Sequence, residues 1–194
     1  MPKITRESLL TLEAYSKDRP AFRSRVMQHK ELRRVALGAH ITLQFEDELT
    51  IRYQVQEMLR IERIFEEAGI RHELDAYNPL IPDGSNLKAT MMIEYPDAEE
   101  RHRELSKLKG VEDRVWIKVG KGARIRAIAD EDLERENDEK TSSVHFLRFE
   151  LDEEARGSLK SGGQLAVGVD HAHYSAQVDP VFDAVRGSLA ADLD

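Results

Sequence analysis

Glu57 is the first candidate for chemistry, because helical spacing places its carboxylate among apolar side chains. A helix is expected from about Asp47 to Gly69. At about 100° per residue its apolar residues form one broad arc, made of Ile51, Val55, Met58, Ile61, Ile64, Phe65 and Ala68. Gln54, Glu57 and Glu62 project from within that arc. An inward carboxylate must be paired, bound to a metal or protonated. An ion pair between Glu57 and an arginine is favoured over metal ligation, because neither glutamate has the histidine three residues later that di-iron bundles use.

Histidines on two expected strands form a second candidate, a metal site. Strand alternation places His145 on the apolar face of segment 144–151, where a lone histidine is usually a hydrogen-bonded core residue. His171 ends segment 165–171, and His173 shares its face if that strand continues. Imidazole suits Zn, Fe, Mn, Ni and Cu. If the two strands are neighbours, Glu57, His145, His171 and His173 are the predicted ligands of a divalent transition metal.

The polar loop 75–86 is a third candidate, as the binding site of an anion. Its two prolines restrict the unfolded chain, and Gly84 and Ser85 offer backbone N–H groups to an anion. An ordinary turn, in which Asp83 and Asn86 cap their own backbone, explains the same residues equally well. Neither the Walker nor the Rossmann glycine spacing is present. The candidate ligand-binding residues on this loop, the central helix and the strands are Tyr53, Gln54, Asn78, Asp83, Ser85, Asn86, Lys88 and Arg148.

The elements that must position these side chains indicate an α+β fold. Two helices are expected before the central one, the first capped by Thr5 and the second running from Asp18 and Pro20 to about Arg34. On the central helix, the wet face is expected to include Gln56. Strands are expected at 39–45, 87–95, 115–119, 123–128, 144–151 and 165–171, with helices at 97–109 and within 180–193. Hairpin-like strand order favours a mixed or antiparallel sheet in a single domain, helix-rich over 1–75 and sheet-rich over 76–194.

Composition excludes several classes of function. The formal net charge of -8 disfavours nonspecific nucleic-acid binding. No apolar run approaches the roughly 18 residues of a membrane span, and no signal peptide is expected at the N-terminus. The chain has no cysteine, so disulfides, thiolate catalysis and cysteine-ligated clusters are excluded. These features favour a cytoplasmic protein without nucleic-acid or membrane partners. The acidic segment 130–140 is expected to be a solvated loop or short helix.

Several long segments resemble a bacterial family known as domain of unknown function 3501. The resemblance runs nearly end to end and is carried by residues 34–38, 45–47, 53–62, 76–90, 127–135 and 144–151. It implies a genomic setting beside rubrerythrin-like iron proteins and iron–sulfur oxidoreductases. It transfers no catalytic residue.

Two functions are therefore expected from the sequence. The leading one is an accessory protein of a bacterial redox or oxidative-stress system, binding a divalent metal and a partner such as a rubrerythrin-like iron protein or an iron–sulfur oxidoreductase. The alternative is a small enzyme whose anionic metabolite is held by the Asn78–Lys88 loop and Arg148, with Glu57 or His145 as acid and base. A third reading is a structural subunit without a site.

Overall fold

A computed structural model describes residues 3–132, 135–137 and 139–194. The helices in these ranges are α1 (Leu12–Glu31), α2 (Glu48–Ile61), α3 (Glu67–Tyr77), α4 (Ala98–Lys107), α5 (Glu153–Lys160) and α6 (Asp183–Ala190). The strands are β1 (Arg34–Leu37), β2 (Ile41–Phe45), β3 (Asn86–Ile93), β4 (Val115–Val119), β5 (Arg124–Arg126), β6 (Ile128–Ala129), β7 (Val144–Glu150), β8 (Leu165–His171) and β9 (Tyr174–Val178). No helix of the described ranges is long and apolar enough to cross a membrane.

The strands form two antiparallel sheets. The five-stranded sheet has the order β1-β2-β3-β7-β6, and the four-stranded sheet has the order β5-β4-β8-β9. At one side, Tyr174 Oη donates a hydrogen bond of 2.6 Å from β9 to Leu37 O at the end of β1. Apolar side chains from both sheets and from α4, α5 and α6 merge in one core. The predicted α+β fold with an antiparallel sheet is confirmed.

The helices α1, α2 and α3 form a separate layer with its own small apolar cluster, made of Ile4, Leu9, Ile51, Val55, Leu59, Ile70, Leu74 and Ile81. A groove separates this layer from the outer face of the five-stranded sheet, where Thr90 and Phe146 face Gln54 of α2. Loop residue Ile81 belongs to the helical cluster. The loop therefore docks on the helices, as its prolines and apolar residues suggest.

The central helix is shorter than predicted. Asp47 caps α2 by accepting from Thr50 N at 2.9 Å, and Thr50 Oγ1 accepts from Asp47 N at the same distance. The helix ends at Ile61, and Arg63 adopts φ 54°, a left-handed conformation that no continuous α-helix contains. The predicted arc therefore stops early, which leaves Phe65 73% exposed.

Other boundaries differ because tertiary contacts outweigh local signals. The predicted break at Asp18 and Pro20 is wrong, since α1 runs through both residues from its cap at Thr11. Gln56, expected on the wet face, is buried because the N-terminal segment covers it, and its Oε1 accepts from Leu10 N at 2.8 Å. The strands β1 and β9 were not predicted.

The predicted 130–140 loop includes Leu133, Glu134 and Asp138, which lie outside the described residues. Of its described residues, Glu136 pairs with Thr141 in an isolated antiparallel bridge.

A buried ion pair attaches α6 to the start of β1. Arg33 is 1% exposed, and its guanidinium donates two hydrogen bonds to the carboxylate of Asp192. It also donates to Phe45 O at 3.1 Å, Glu46 O at 3.1 Å and Ser188 O at 3.2 Å. Each nitrogen of the guanidinium thus donates to at least one acceptor, which is the condition under which a buried guanidinium is tolerated.

Candidate functional site

His145 lies at the centre of a buried polar cluster on the inward-facing side of β7. Strand alternation on β7 turns its ring inward, as predicted, and the residue is 0% exposed. Nδ1 lies 2.6 Å from Asp130 Oδ2. On the other side of the ring, Nε2 lies 3.0 Å from Ser142 O, 3.1 Å from Thr141 Oγ1 and 3.9 Å from Glu112 Oε2. Oxygen atoms therefore surround both ring nitrogens.

Asp130 is held in position by its neighbours. It follows β6 with φ 48°, a left-handed conformation that Asp tolerates better than most residues. Its Oδ1 accepts from Phe146 N at 2.9 Å and from Arg135 Nε at 3.1 Å. The remaining oxygen faces His145 Nδ1, so this carboxylate fixes the orientation of the imidazole.

Glu112 is the unsatisfied member of the cluster. It lies on a short 3-10 helix, Glu112–Arg114, before β4 and is 9% exposed. Its Oε2 is buried and has no hydrogen-bond partner among the described residues, and burial raises the pKa of this carboxyl. Across the described ranges, Glu112, Asp130 and His145 are the one group of three carboxylate or imidazole ligands close enough to share an ion.

Glu57 has the favoured role, that of an ion-pair partner. Its carboxylate accepts from Arg19 Nε and Nη2, both at 2.8 Å, and from the phenol of Tyr15 at 2.8 Å. Arg60 adds a contact of 3.3 Å. These hydrogen bonds, those of Arg19 first, lower the pKa of Glu57 to about 2. The predicted ligand set is not brought together, because Glu57 faces α1 across the helical layer and is absent from the His145 cluster.

His171 and His173 also lie outside that cluster. The predicted metal site required the strands of His145 and His171 to be neighbours, and this condition is not met, since β7 and β8 belong to different sheets. The strand ends at His171, and a turn through His173 leads into β9, so the predicted shared face is lost. His171 Nε2 lies 3.1 Å from Lys109 O, and its Nδ1 accepts from His173 N at 3.2 Å. One ring nitrogen of His171 therefore stabilises the turn, and the other contacts the backbone of the segment after α4.

The polar residues of the 75–86 loop hold the loop itself. Asn78 exchanges two hydrogen bonds with the backbone of Ile4, at 2.8 and 3.0 Å. Asp83 Oδ1 accepts from Ser85 N at 2.9 Å, as the ordinary-turn interpretation expects. Asn86 is buried, and its Nδ2 donates to Glu150 Oε2 at 3.3 Å. These contacts explain the order of the loop without a ligand.

The two cations predicted to hold an anion are engaged within the protein. Lys88 Nζ donates to Pro79 O at 2.5 Å. Arg148 donates twice to Glu131 at 2.8 Å and once to Glu150 at 2.6 Å. Both side chains line a small cavity of about 90 Å³. An anion there would compete with carboxylates already present.

The two helix residues predicted with them are separated. Tyr53 is buried with its ring centre 6.1 Å from that of Phe22, whereas Gln54 lines the groove beside the sheet. Sequence reasoning missed Glu112 and Asp130. Asp130 follows a strand, where a turn-forming Asp is a weak signal, and nothing in the local sequence distinguishes Glu112 from other acids.

Two antiparallel sheets, a helical layer and a buried His–carboxylate cluster define a single-domain α+β protein. Residues 3–193 match the family model described as Protein of unknown function (DUF3501), and the chain belongs to that family. A crystal structure of a novel protein of unknown function from Burkholderia pseudomallei, at 1.90 Å resolution, is similar to this chain with 55% identity, a TM-score of 0.95 and 100% of both chains covered. Comparison with curated proteins finds no match.

Proposed function

We propose that this protein is an accessory protein of a bacterial redox or oxidative-stress system that binds a divalent transition metal at His145 and Glu112. The observation that carries the metal site is the buried Oε2 of Glu112, which lies 3.9 Å from His145 Nε2 and has no hydrogen-bond partner in the described part of the chain. A buried carboxylate oxygen without a donor is costly. A cation between these two atoms would remove that cost.

The surrounding distances support such a cation. Ligands at about 2.1 Å from a metal and at right angles to one another are about 3.0 Å apart. Ser142 O and Thr141 Oγ1 lie 3.0 and 3.1 Å from Nε2, whereas Glu112 must approach by about 1 Å. If His145 Nε2 carried a hydrogen, that N–H could donate a well-directed hydrogen bond to one of these oxygens only, whereas a cation could contact all of them. Asp130 then takes the outer position, holding Nδ1–H as carboxylates do behind metal-bound histidines.

The ligand set restricts the choice of metal ion. It consists of one imidazole nitrogen with carboxylate, hydroxyl and carbonyl oxygens. It suits Mn, Fe, Co or Zn and lacks the sulfur ligands that select Cu(I). The redox setting and the iron-protein partner rest on the genomic setting implied by the family resemblance.

Metal analysis of chelator-free protein tests the site. Wild-type protein saturated with Mn²⁺, Fe²⁺, Co²⁺ or Zn²⁺ and then desalted is expected to retain about one equivalent of one of them. Glu112→Gln keeps the shape of the side chain and is expected to abolish retention. Asp113→Asn, an exposed carboxylate on the same turn, is the matched control and is expected to retain the metal.

His171→Ala separates this site from the one predicted by sequence. It is expected to leave the metal content unchanged, because His171 is outside the cluster. Less than about a tenth of an equivalent in wild-type protein refutes metal binding, and His145 is then a hydrogen-bonded core residue.

The partner is tested separately by titrating purified rubrerythrin-like protein, encoded beside a gene of this family, against immobilised protein. Saturable binding supports the accessory role. If no binding is detected at about 0.1 mM, the dissociation constant is larger than that of most transient protein complexes, and the accessory role is refuted. This result has no bearing on the metal site.

A further inference from the structure

The groove between the helical layer and the five-stranded sheet has the form of a small-molecule site. It encloses about 270 Å³, at the small end of ligand pockets, and lies between two packed layers, where such pockets often occur. Outward-facing residues of β3 and β7 form its floor, with Met92 and Phe146 among them, and Leu80 closes one side. The floor is therefore mostly apolar, although the hydroxyl of Thr90 and the amide of Gln44 also line the groove.

One wall of the groove carries a buried carboxylate without a cation. Glu46 is 7% exposed. Its two oxygens accept from Thr50 Oγ1 at 2.5 Å and Thr90 Oγ1 at 2.7 Å. Within the described ranges, no Lys, Arg or His nitrogen lies within 4.0 Å of it. A carboxylate has about four acceptor positions, so two hydroxyl donors leave acceptor capacity for a cationic group of a ligand.

The same groove contains a cation without a carboxylate. Lys30, near the end of α1, is half-buried in the groove wall. Its ammonium forms no ion pair or hydrogen bond with any residue that the structure describes. Gln54, from α2, brings an amide that likewise has no hydrogen-bond partner in the described part of the chain. Opposite charges and an amide therefore face one mostly apolar floor.

We infer that this groove binds a zwitterionic small molecule of the amino-acid class, with its ammonium group on Glu46, its carboxylate on Lys30 and its apolar side chain on Phe146. Each ligand charge then meets an opposite charge that has no ionic partner among the residues that the structure describes. The amide of Gln54 is a further donor and acceptor for the ligand backbone. This site is distinct from the His145 cluster, which lies on the inner face of the sheet.

Three related probes test the two charges separately. L-Phenylalanine carries both charges, L-phenylalaninamide lacks the carboxylate and 3-phenylpropionate lacks the ammonium group. In backbone amide NMR titrations, L-phenylalanine is expected to shift groove resonances with saturation and to bind at least tenfold more tightly than either analogue.

Variants assign each charge to its residue. Lys30→Met is expected to weaken the binding of L-phenylalanine about tenfold, since one ion pair is lost. The affinity for L-phenylalaninamide is expected to stay the same. Glu46→Gln is expected to weaken the binding of L-phenylalanine and of L-phenylalaninamide, and to leave the affinity for 3-phenylpropionate the same. Lys17→Met, on the same helix but outside the groove, is the matched control.

Two results overturn the inference. One is the absence of saturable shifts of the groove resonances when L-phenylalanine or L-leucine is added to about 10 mM, because a dissociation constant above that concentration is too weak for a binding site. The other is binding that is equal for all three probes or unaffected by Lys30→Met. Because Glu46 also holds Thr50 and Thr90, melting temperatures check that Glu46→Gln is folded, and the Lys30 variant decides the matter if it is not.

Discussion

Replacing Glu57 by glutamine is expected to destabilise the protein by about 2–3 kcal/mol, since hydrogen bonds to a charged group contribute about 1.5–3 kcal/mol each. Glutamine retains one acceptor oxygen, but its NH₂ group points a donor at the donors of Arg19. The phenol of Tyr15, which is 0% exposed, competes for the remaining acceptor. The side chain of Arg19 is 33% exposed, which lowers the expected cost through solvent screening.

The pKa of Glu57 gives an independent magnitude. Its lowering from 4.5 to about 2 corresponds to about 3 kcal/mol at neutral pH, reduced by screening of the partly exposed arginines. The folded-state pKa is below the unfolded one, so this stabilisation is present above pH 4.5 and is lost as pH falls toward 2. The difference between wild type and Glu57→Gln is therefore expected to shrink across that window.

Urea unfolding followed by circular dichroism, at neutral pH and across that acid range, measures both effects. Glu62→Gln, an exposed carboxylate just past the end of α2, is the matched control and is expected to change stability by less than about 0.5 kcal/mol. A loss below that same value in Glu57→Gln would refute the reasoning, because the pair would then behave as a solvated surface ion pair.

Two further substitutions test packing elsewhere in the fold. Asp192→Ala removes the carboxylate that accepts two hydrogen bonds from the buried guanidinium of Arg33, and leaves Asp47, 3.6 Å away, as its remaining counter-charge. The expected cost is about 3 kcal/mol in urea unfolding, at the lower end for a broken buried ion pair; a cost below about 1 kcal/mol would contradict this. Gly168→Ala would place a Cβ 2.3 Å from the ring of Trp116, so a loss of about 1–3 kcal/mol and a shifted tryptophan emission are expected. Gly157→Ala, whose Cβ meets nothing within 4 Å in a helix, is the control and is expected to stabilise slightly.

The periodicity of the sequence predicted correctly those features that depend on neighbouring residues of one helix or strand. The inward direction of Glu57 follows from helical spacing, and the burial of His145 follows from strand alternation. The hairpin at Gly120–Gly122 joins β4 to β5 as expected, and β8 has the predicted bounds, 165–171.

What could not be predicted depends on contacts between distant segments. Local sequence does not determine how strands are divided between two sheets, and this division separates His145 from His171. Glu112 acquires its burial from elements packed over it, and Pro20 lies within α1 although a break was predicted there. The His145 cluster therefore combines one predictable residue with two that only the folded chain brings to it.

The pairing of Arg33 with Asp192 has a consequence for biosynthesis. The two residues are 159 positions apart in sequence, so Arg33 leaves the ribosome long before Asp192 has been made. Until then the guanidinium lacks the acceptor of two of its hydrogen bonds and has Asp47 as its charge partner, which disfavours early closure of the sheet around it. Long-range contacts of this kind are expected to delay the final compaction until the segment after α6, which carries Asp192, has emerged.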